Sequence, residues 1–105
     1  MPFRSNMFGD KIAQPGTERG EIDEAMMDRH MPDRVDIHAA DVFAEGDEKF
    51  GFGGTLYLAL ETEDEESGEA STEDVTMEFD GFASVDEAKA FAVSLGIPER
   101  SVTRN

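Results

Sequence analysis

The sequence predicts an α+β fold: a three-stranded antiparallel sheet with a C-terminal helix packed on one face, and a short N-terminal helix as a further candidate. Two observations support this fold. Three segments between residues 34 and 80 alternate apolar and polar side chains, which is typical of half-buried strands. A capping motif at Ser84 then opens a pattern of helical period. With 105 residues, one compact domain is expected.

Residues 1–33 are expected to form an N-terminal arm, because proline and glycine interrupt them repeatedly. Within the arm, Glu21 to Met31 is a candidate helix that Pro32 ends. Its apolar side chains share one face at spacings of three and four: Ile22, Ala25 and Met26. Four further apolar residues show no period and are expected to tuck against the domain, the alternative being an exposed adhesive segment: Phe3, Met7, Phe8 and Ile12.

Residues 34–105 are expected to form an acidic β-β-β-α domain. Its first strand begins at Arg34, and its alternation slips at residues 39–41, which indicates a bulge or an early end. The second strand has every large apolar side chain at an even position: Phe50, Phe52, Leu56, Leu58 and Leu60. The third strand, Val75 to Phe79, has an apolar face and an acidic one.

The C-terminal helix is predicted from its two ends. Ser84 and Glu87 form a capping box, and Gly96 followed by Pro98 stops the helix. Between these signals lies a stripe that can pack on the sheet: Ala88, Phe91, Ala92 and Leu95. The order helix, three strands, helix resembles the double-stranded-RNA-binding domain over residues 21–96. Those domains carry basic residues at the start of the last helix, where this chain has Asp86 and Glu87, so RNA binding is not implied.

The composition is strongly acidic, with 25 Asp and Glu against 9 Lys and Arg and a net charge of −16. This charge argues against direct binding of a nucleic-acid backbone. The chain has no cysteine, which excludes disulfides and thiolate metal sites. It also lacks an apolar run long enough for a membrane span or a secretory signal, so we expect a cytoplasmic protein, in the host cytoplasm if phage-encoded.

The negative charge is concentrated in the sheet region: residues 34–83 carry a net −13, against −3 for residues 1–33 and zero for residues 84–105. We therefore expect a partner-binding surface on the acidic face of the sheet and the following connection. Its candidate residues are Asp36, Glu61, Glu63, Asp64, Glu65, Glu66, Glu69, Glu73, Asp74, Glu78 and Asp80.

Three explanations of this acidity remain open: solubility with a flexible loop, adaptation to high salt, and carboxylates that imitate phosphates. The scarcity of lysine, only Lys11, Lys49 and Lys89, suits the second explanation. In size, acidity and lack of catalytic motifs the chain resembles phage-borne nucleic-acid-mimic inhibitors, namely anti-CRISPR, anti-restriction and DNA-glycosylase-inhibitor proteins. That resemblance implies a non-enzymatic inhibitor of a basic, nucleic-acid-binding protein. The alternative is a small structural or regulatory accessory protein whose acidity serves solubility or salt tolerance.

Motifs for other chemistry are weak. Glu63 to Asp74 partly imitates a calcium loop but lies between strands, where a solvated turn is expected. The polar cluster of His30, Asp33, Asp36 and His38 spans two elements and is not expected to hold a metal. The glycine-rich segment at 50–54 leads into a strand and indicates a bend of the sheet or a bulge rather than a phosphate loop. We therefore expect no catalytic residue and no cofactor, and the oligomeric state stays open.

Overall fold

The computed structural model describes residues 3–104 and contains one six-stranded mixed sheet and two α-helices. No helix within this range is long and apolar enough to cross a membrane. In chain order the elements are β1 (Phe3–Ser5), β2 (Lys11–Ala13), α1 (Arg19–His30), β3 (Arg34–Val42), β4 (Phe52–Glu63), β5 (Ala70–Phe82), α2 (Val85–Ser94), a 3₁₀ turn (Glu99–Ser101) and β6 (Val102–Arg104).

The predicted three-stranded antiparallel sheet is wrong, although the fold is α+β. The strand order is β1-β2-β5-β4-β3-β6, and only the central β3, β4 and β5 are the predicted strands. β2 pairs with β5 in parallel, β6 pairs with β3 in parallel, and β1 pairs with β2. Each added strand has three residues, which is too short to show a period of two.

The helix in the N-terminal region is present at Arg19–His30, close to its predicted position, and it packs in the core. The Arg19 guanidinium donates to the carbonyl oxygens of Leu95 (2.9 Å) and Val35 (3.0 Å), which ties α1 to the end of α2 and to β3. Residues 3–30 thus share the sheet and core of residues 34–104. Of the unpatterned apolar residues there, Phe3 and Ile12 are covered, whereas Met7 and Phe8 are 89% and 80% exposed.

The register of the central strands separates an apolar face from a polar one. Leu56 lies opposite Met77 and Leu58 opposite Val75, so their side chains share the face on which both helices pack. In β3 the register shifts between Ile37 and Ala39, which confirms the predicted bulge. We call the opposite side, which carries the alternate residues, the open face.

The C-terminal helix confirms one half of its predicted capping box, since Ser84 Oγ accepts the Glu87 backbone N–H (3.2 Å). The Glu87 carboxylate accepts the Ala83 N–H (3.1 Å) instead of that of Ser84. Gly96 follows the helix at a φ of 97°. Phe91 of α2 packs against Phe79 and Phe82 of β5, with ring centroids 5.4 and 4.9 Å away. This aromatic cluster fixes α2 on the sheet.

Glycines at the start of β4 allow the backbones to approach closely. A Cβ atom at Gly54 would lie 1.8 Å from the Asp41 carbonyl oxygen, and one at Gly53 would lie 1.9 Å from that of Phe79. The register also shifts between Phe52 and Gly54, which confirms the bulge predicted for the glycine-rich segment. The strand begins at Phe52 and not at Phe50.

We predict that Gly54→Ala destabilises the protein by about 2 kcal/mol or more, because the added methyl group would clash with the backbone of Asp41, and relieving the clash requires β3 to move. The measurement is chemical denaturation. Gly20→Ala in α1 is the matched control, since nothing lies within 4 Å of its added Cβ, and it should be neutral or stabilising by up to about 1 kcal/mol. Equal stability of the two variants would contradict the close strand approach.

Candidate functional site

The most acidic part of the molecule is the end of the β4–β5 hairpin. Residues 61–74, here called the hairpin tip, are all exposed. Arg34, the first residue of β3, lies opposite Glu61, and the β4–β5 pairing continues past it to Glu63 opposite Ala70. The tip therefore extends as a two-stranded ribbon beyond the start of β3.

Backbone and side-chain hydrogen bonds order the turn at the end of the tip. The Asp64 N–H donates to the Glu69 carbonyl oxygen (2.8 Å), and the Gly68 N–H donates to the Asp64 carbonyl oxygen (2.7 Å). Asp64 Oδ1 also accepts the Glu66 N–H (2.8 Å), so this carboxylate shapes the turn. Gly68 has a φ of 72°, a conformation that favours glycine.

A further pair of hydrogen bonds, made by Asp33, joins the tip to the segment before β3. Asp33 Oδ2 accepts the Glu63 N–H (2.7 Å), while the Asp33 N–H donates to the Glu61 carbonyl oxygen (2.8 Å). In the sequence, Asp33 belongs to the polar cluster that is not expected to hold a metal. Its observed contacts instead hold the ribbon where it leaves the sheet.

Cations are nearly absent from this region. Residues 61–80 contain no Lys or Arg and ten carboxylates: Glu61, Glu63, Asp64, Glu65, Glu66, Glu69, Glu73, Asp74, Glu78 and Asp80. Three of them have a partner from elsewhere: Arg34 lies 3.7 Å from Glu61, His30 lies 3.2 Å from Glu73, and Arg4 binds Asp80. Within residues 3–104 the other seven form no ion pair.

The open face gathers most of the predicted site residues that lie on strands. The register places six of them there, namely Asp36, Glu61, Glu63, Asp74, Glu78 and Asp80. Carboxylates on the same face of one strand recur at multiples of about 6.6–6.8 Å. The turn residues Asp64, Glu65, Glu66 and Glu69 continue the acidic surface at the end of the ribbon.

Glu73 is separated from the other site residues. It lies opposite Leu60, whose side chain is in the core, so Glu73 projects on the helix side of the sheet. There its carboxylate is 3.2 Å from His30 Nδ1 at the end of α1. The acidic open face and Glu73 are thus on opposite sides of the sheet.

Arg4 is a cation at the open face that the sequence analysis did not single out. Its guanidinium binds Asp80 and lies 3.8 Å from the centroid of the Phe50 ring. The hydrogen bond with Asp80 raises the pKa of Arg4. Because β1 is too short to be recognised as a strand, its sequence gave no signal that Arg4 would reach β5.

A hydrogen-bonded group at Asp41 was also missed. The Thr103 hydroxyl and the Tyr57 hydroxyl both donate to its carboxylate, the latter at 2.6 Å. The hydrogen bond from Thr103, followed by that from Tyr57, lowers the pKa of Asp41. The hydrogen bond to Asp41 raises the pKa of Tyr57. The group joins β3, β4 and β6, and only the parallel β3–β6 pairing could reveal it.

The other candidate chemistry does not assemble. Among residues 3–104, no three His, Asp or Glu side chains converge as a metal site. His30 contacts Glu73, whereas His38 lies at the bulge of β3. The segment that partly imitates a calcium loop is the ordered turn and flanking strands of the tip.

No protein family, curated protein or solved structure matches this chain. The predicted order of helix, three strands and helix is present over residues 19–94, with β1, β2 and β6 added to the sheet.

We predict that Thr103→Val raises the pKa of Asp41 more than Tyr57→Phe does, because Thr103 is the larger cause of its lowering. A lowered carboxyl pKa stabilises the fold above the unfolded value of about 3.9, and this contribution is lost as pH falls through the folded-state pKa. NMR titration of the carboxyl carbons measures the Asp41 pKa in the wild type and in each variant. Asp47, whose pKa is lowered by the Lys49 and Phe50 N–H groups, is the internal control, and its pKa should stay the same in all three proteins. Identical Asp41 titrations in all three proteins would refute this assignment.

Proposed function

We propose that this protein is a non-enzymatic binding protein that inhibits or sequesters a basic, nucleic-acid-binding protein through the hairpin tip and the acidic open face. The observation that carries the proposal is the absence of Lys and Arg from residues 61–80, which contain ten carboxylates. These carboxylates lie on paired strands and an ordered turn.

Electrostatic cost supports a role in recognition. Two carboxylates about 6.7 Å apart repel by roughly 0.6 kcal/mol in water and about 2.5 kcal/mol at an effective dielectric constant of 20. Seven carboxylates of residues 61–80 have no ion-pair partner within the described part of the chain. A cationic partner would relieve this repulsion on binding, so part of the affinity comes from charge that is unfavourable in the free protein.

The mechanism is Coulomb complementarity between these carboxylates and the cations of the partner. Carboxylates on a fixed ribbon can accept charge-assisted hydrogen bonds from the Arg and Lys residues that otherwise bind nucleic-acid phosphates. The field of the tip also speeds diffusional encounter, and this steering weakens as the Debye length falls below about 10 Å above 0.1 M salt. Binding should therefore compete with duplex DNA and weaken with salt.

We predict that Glu63→Lys, Glu65→Lys and Glu66→Lys together slow association with the partner at least about tenfold at low salt, because they reverse the field at the tip. Asp64 is retained because it accepts the Glu66 N–H in the turn. Proteins captured from a host lysate by the wild type, and displaced by duplex DNA, supply the partner. The rates at which the wild type and the variant associate with this partner are then measured at salt concentrations from about 0.05 to 1 M.

The matched control carries Glu24→Lys, Glu45→Lys and Glu48→Lys, which change the net charge equally at exposed residues outside the tip. It should keep most of the wild-type association rate. If both triple variants lose binding equally, the net charge acts without a defined surface. If neither loses binding, the hairpin tip does not recognise the partner, and the proposal fails.

A second candidate is an accessory protein whose acidity serves solubility or high salt. The observation that favours it is that the remaining fifteen carboxylates are spread over both helices, β3, the 3₁₀ turn and the loops. Under this alternative the two triple variants should behave alike: both should fold at lower salt than the wild type, and a lysate should yield no partner that DNA displaces.

A further inference from the structure

A groove of about 650 Å³ lies beside the acidic hairpin, between the β1–β2 loop, the second half of α1 and β5. We call it the edge groove. Its apolar lining includes Met26 of α1 and Val75 and Met77 of β5. Asp74 and Glu78 line it as well. Asp10 and Asp28 also line it, as do Lys11, Arg29 and His30. Arg29 pairs with Asp10 at 2.7 Å, and His30 lies 3.2 Å from Glu73. The groove therefore combines an apolar wall with more carboxylates than Lys and Arg.

One side of the edge groove is a free strand edge. On the side away from β4, β5 pairs with β2 only at Glu78 and Phe79. Within residues 3–104, no other strand pairs with that side of β5. The stretch from Ala70 to Met77 is thus an unpaired edge of about eight residues, or roughly 27 Å.

The turn geometry shows which backbone groups face outward. The Asp64 N–H donates to the Glu69 carbonyl oxygen, so hydrogen bonding to β4 alternates along β5 from that pair. Residues 71, 73, 75 and 77 point their N–H and C=O groups at β4. Those of Thr72, Asp74 and Thr76 point away from it. The Glu61 carbonyl oxygen, opposite Thr72, accepts the Asp33 N–H on the β3 side, which agrees with this alternation.

A strand added at this edge would have two different faces. Side chains on its helix side would meet Met26, Val75 and Met77, and those on its open side would meet Asp74 and Glu78. A segment that alternates apolar and basic residues fits both requirements. The exposed Met7 and Phe8 on the neighbouring β1–β2 loop offer further apolar contact area.

A second copy of this chain is a poor occupant. Pairing two β5 edges would bring two hairpins together, each with ten carboxylates and no Lys or Arg over residues 61–80. Charged residues on an edge strand commonly prevent such self-pairing. The same charge attracts a basic strand. The edge of β5 therefore disfavours pairing with a second copy of this chain and favours pairing with a cationic segment.

We infer that the edge groove binds an extended, alternating basic and apolar segment of the partner, which adds to β5 as a further strand. This inference rests on the proposed function, since it names how the cationic partner is held. The backbone of Thr72, Asp74 and Thr76 supplies the hydrogen bonds, and the neighbouring carboxylates select for Lys or Arg.

The test uses a seven-residue peptide of alternating lysine and valine as the probe, with two controls of the same charge. One control is N-methylated at every lysine and the other at every valine. An antiparallel added strand would direct the lysine N–H groups at β5, and a parallel one the valine N–H groups. We expect one control to bind at least tenfold more weakly than the parent, and the amides of Thr72, Asp74 and Thr76 to gain protection from exchange with the parent peptide.

A variant of the protein tests the same hydrogen bonds from the other side. Thr76→Pro removes an outward N–H and leaves the bonds to β4, a position at which edge strands tolerate proline. Thr76→Pro should lower the affinity for the parent peptide at least tenfold, whereas Thr76→Ala, which keeps the N–H, should leave this affinity unchanged. The peptide comparison needs only the wild-type chain, so it decides the matter even if the proline variant does not fold.

Equal binding of all three peptides, with strong salt dependence, would overturn strand addition and leave the acidic binding function standing. Failure of every peptide to bind, while the captured partner still binds, would also overturn it. Failure of the captured partner to respond to charge reversal at the tip would instead remove the proposed function.

Discussion

The pairing of β4 with β5 is the constraint on which the rest of the structure depends. Eleven residue pairs join the two strands, from Phe52 opposite Phe82 to Glu63 opposite Ala70. Because side chains alternate along each strand, this one register places the leucines of β4 against the helices and turns Glu61, Asp74 and Glu78 to the open face. A slip by one residue would expose the core and bury the acids. The fold and the acidic surface are therefore two results of the same register.

Specific hydrogen bonds hold the acidic ribbon in place. Asp33 binds the backbone of Glu61 and Glu63, and the Asp64 carboxylate closes the turn. Arg4 and Arg34 offset charge only on open-face carboxylates closer to the body of the sheet. Within residues 3–104, most carboxylates beyond that point have no cationic partner, and ordering them raises their mutual repulsion. A flexible acidic tail would avoid that cost, so the ordered arrangement is the feature that favours recognition over simple solubility.

The sequence predicted those parts of the fold that carry local signals. The even-numbered leucines of β4, the Ser84 cap and the slip at residues 39–41 each depend on neighbours in the chain. The leucines and the Ser84 cap have their predicted structure, and the slip is a bulge between Ile37 and Ala39. The failures involve contacts between distant residues. β1, β2 and β6 are three residues long and pair with strands far away, so no periodicity reveals them. The Arg4–Asp80 and Asp41–Thr103 contacts also join distant residues and could not be predicted from local patterns. The same holds for the free edge of β5, which depends on where β2 pairs with it.

The most direct measurement of the central claim is backbone ¹⁵N relaxation of Glu63 to Glu69 in the free protein at low salt. We expect order parameters near those of rigid backbone, about 0.85, because the turn and the hydrogen bonds of Asp33 hold the carboxylates in place before a partner binds. Values below about 0.6 across these residues would contradict it, since a mobile acidic segment presents no fixed surface for recognition.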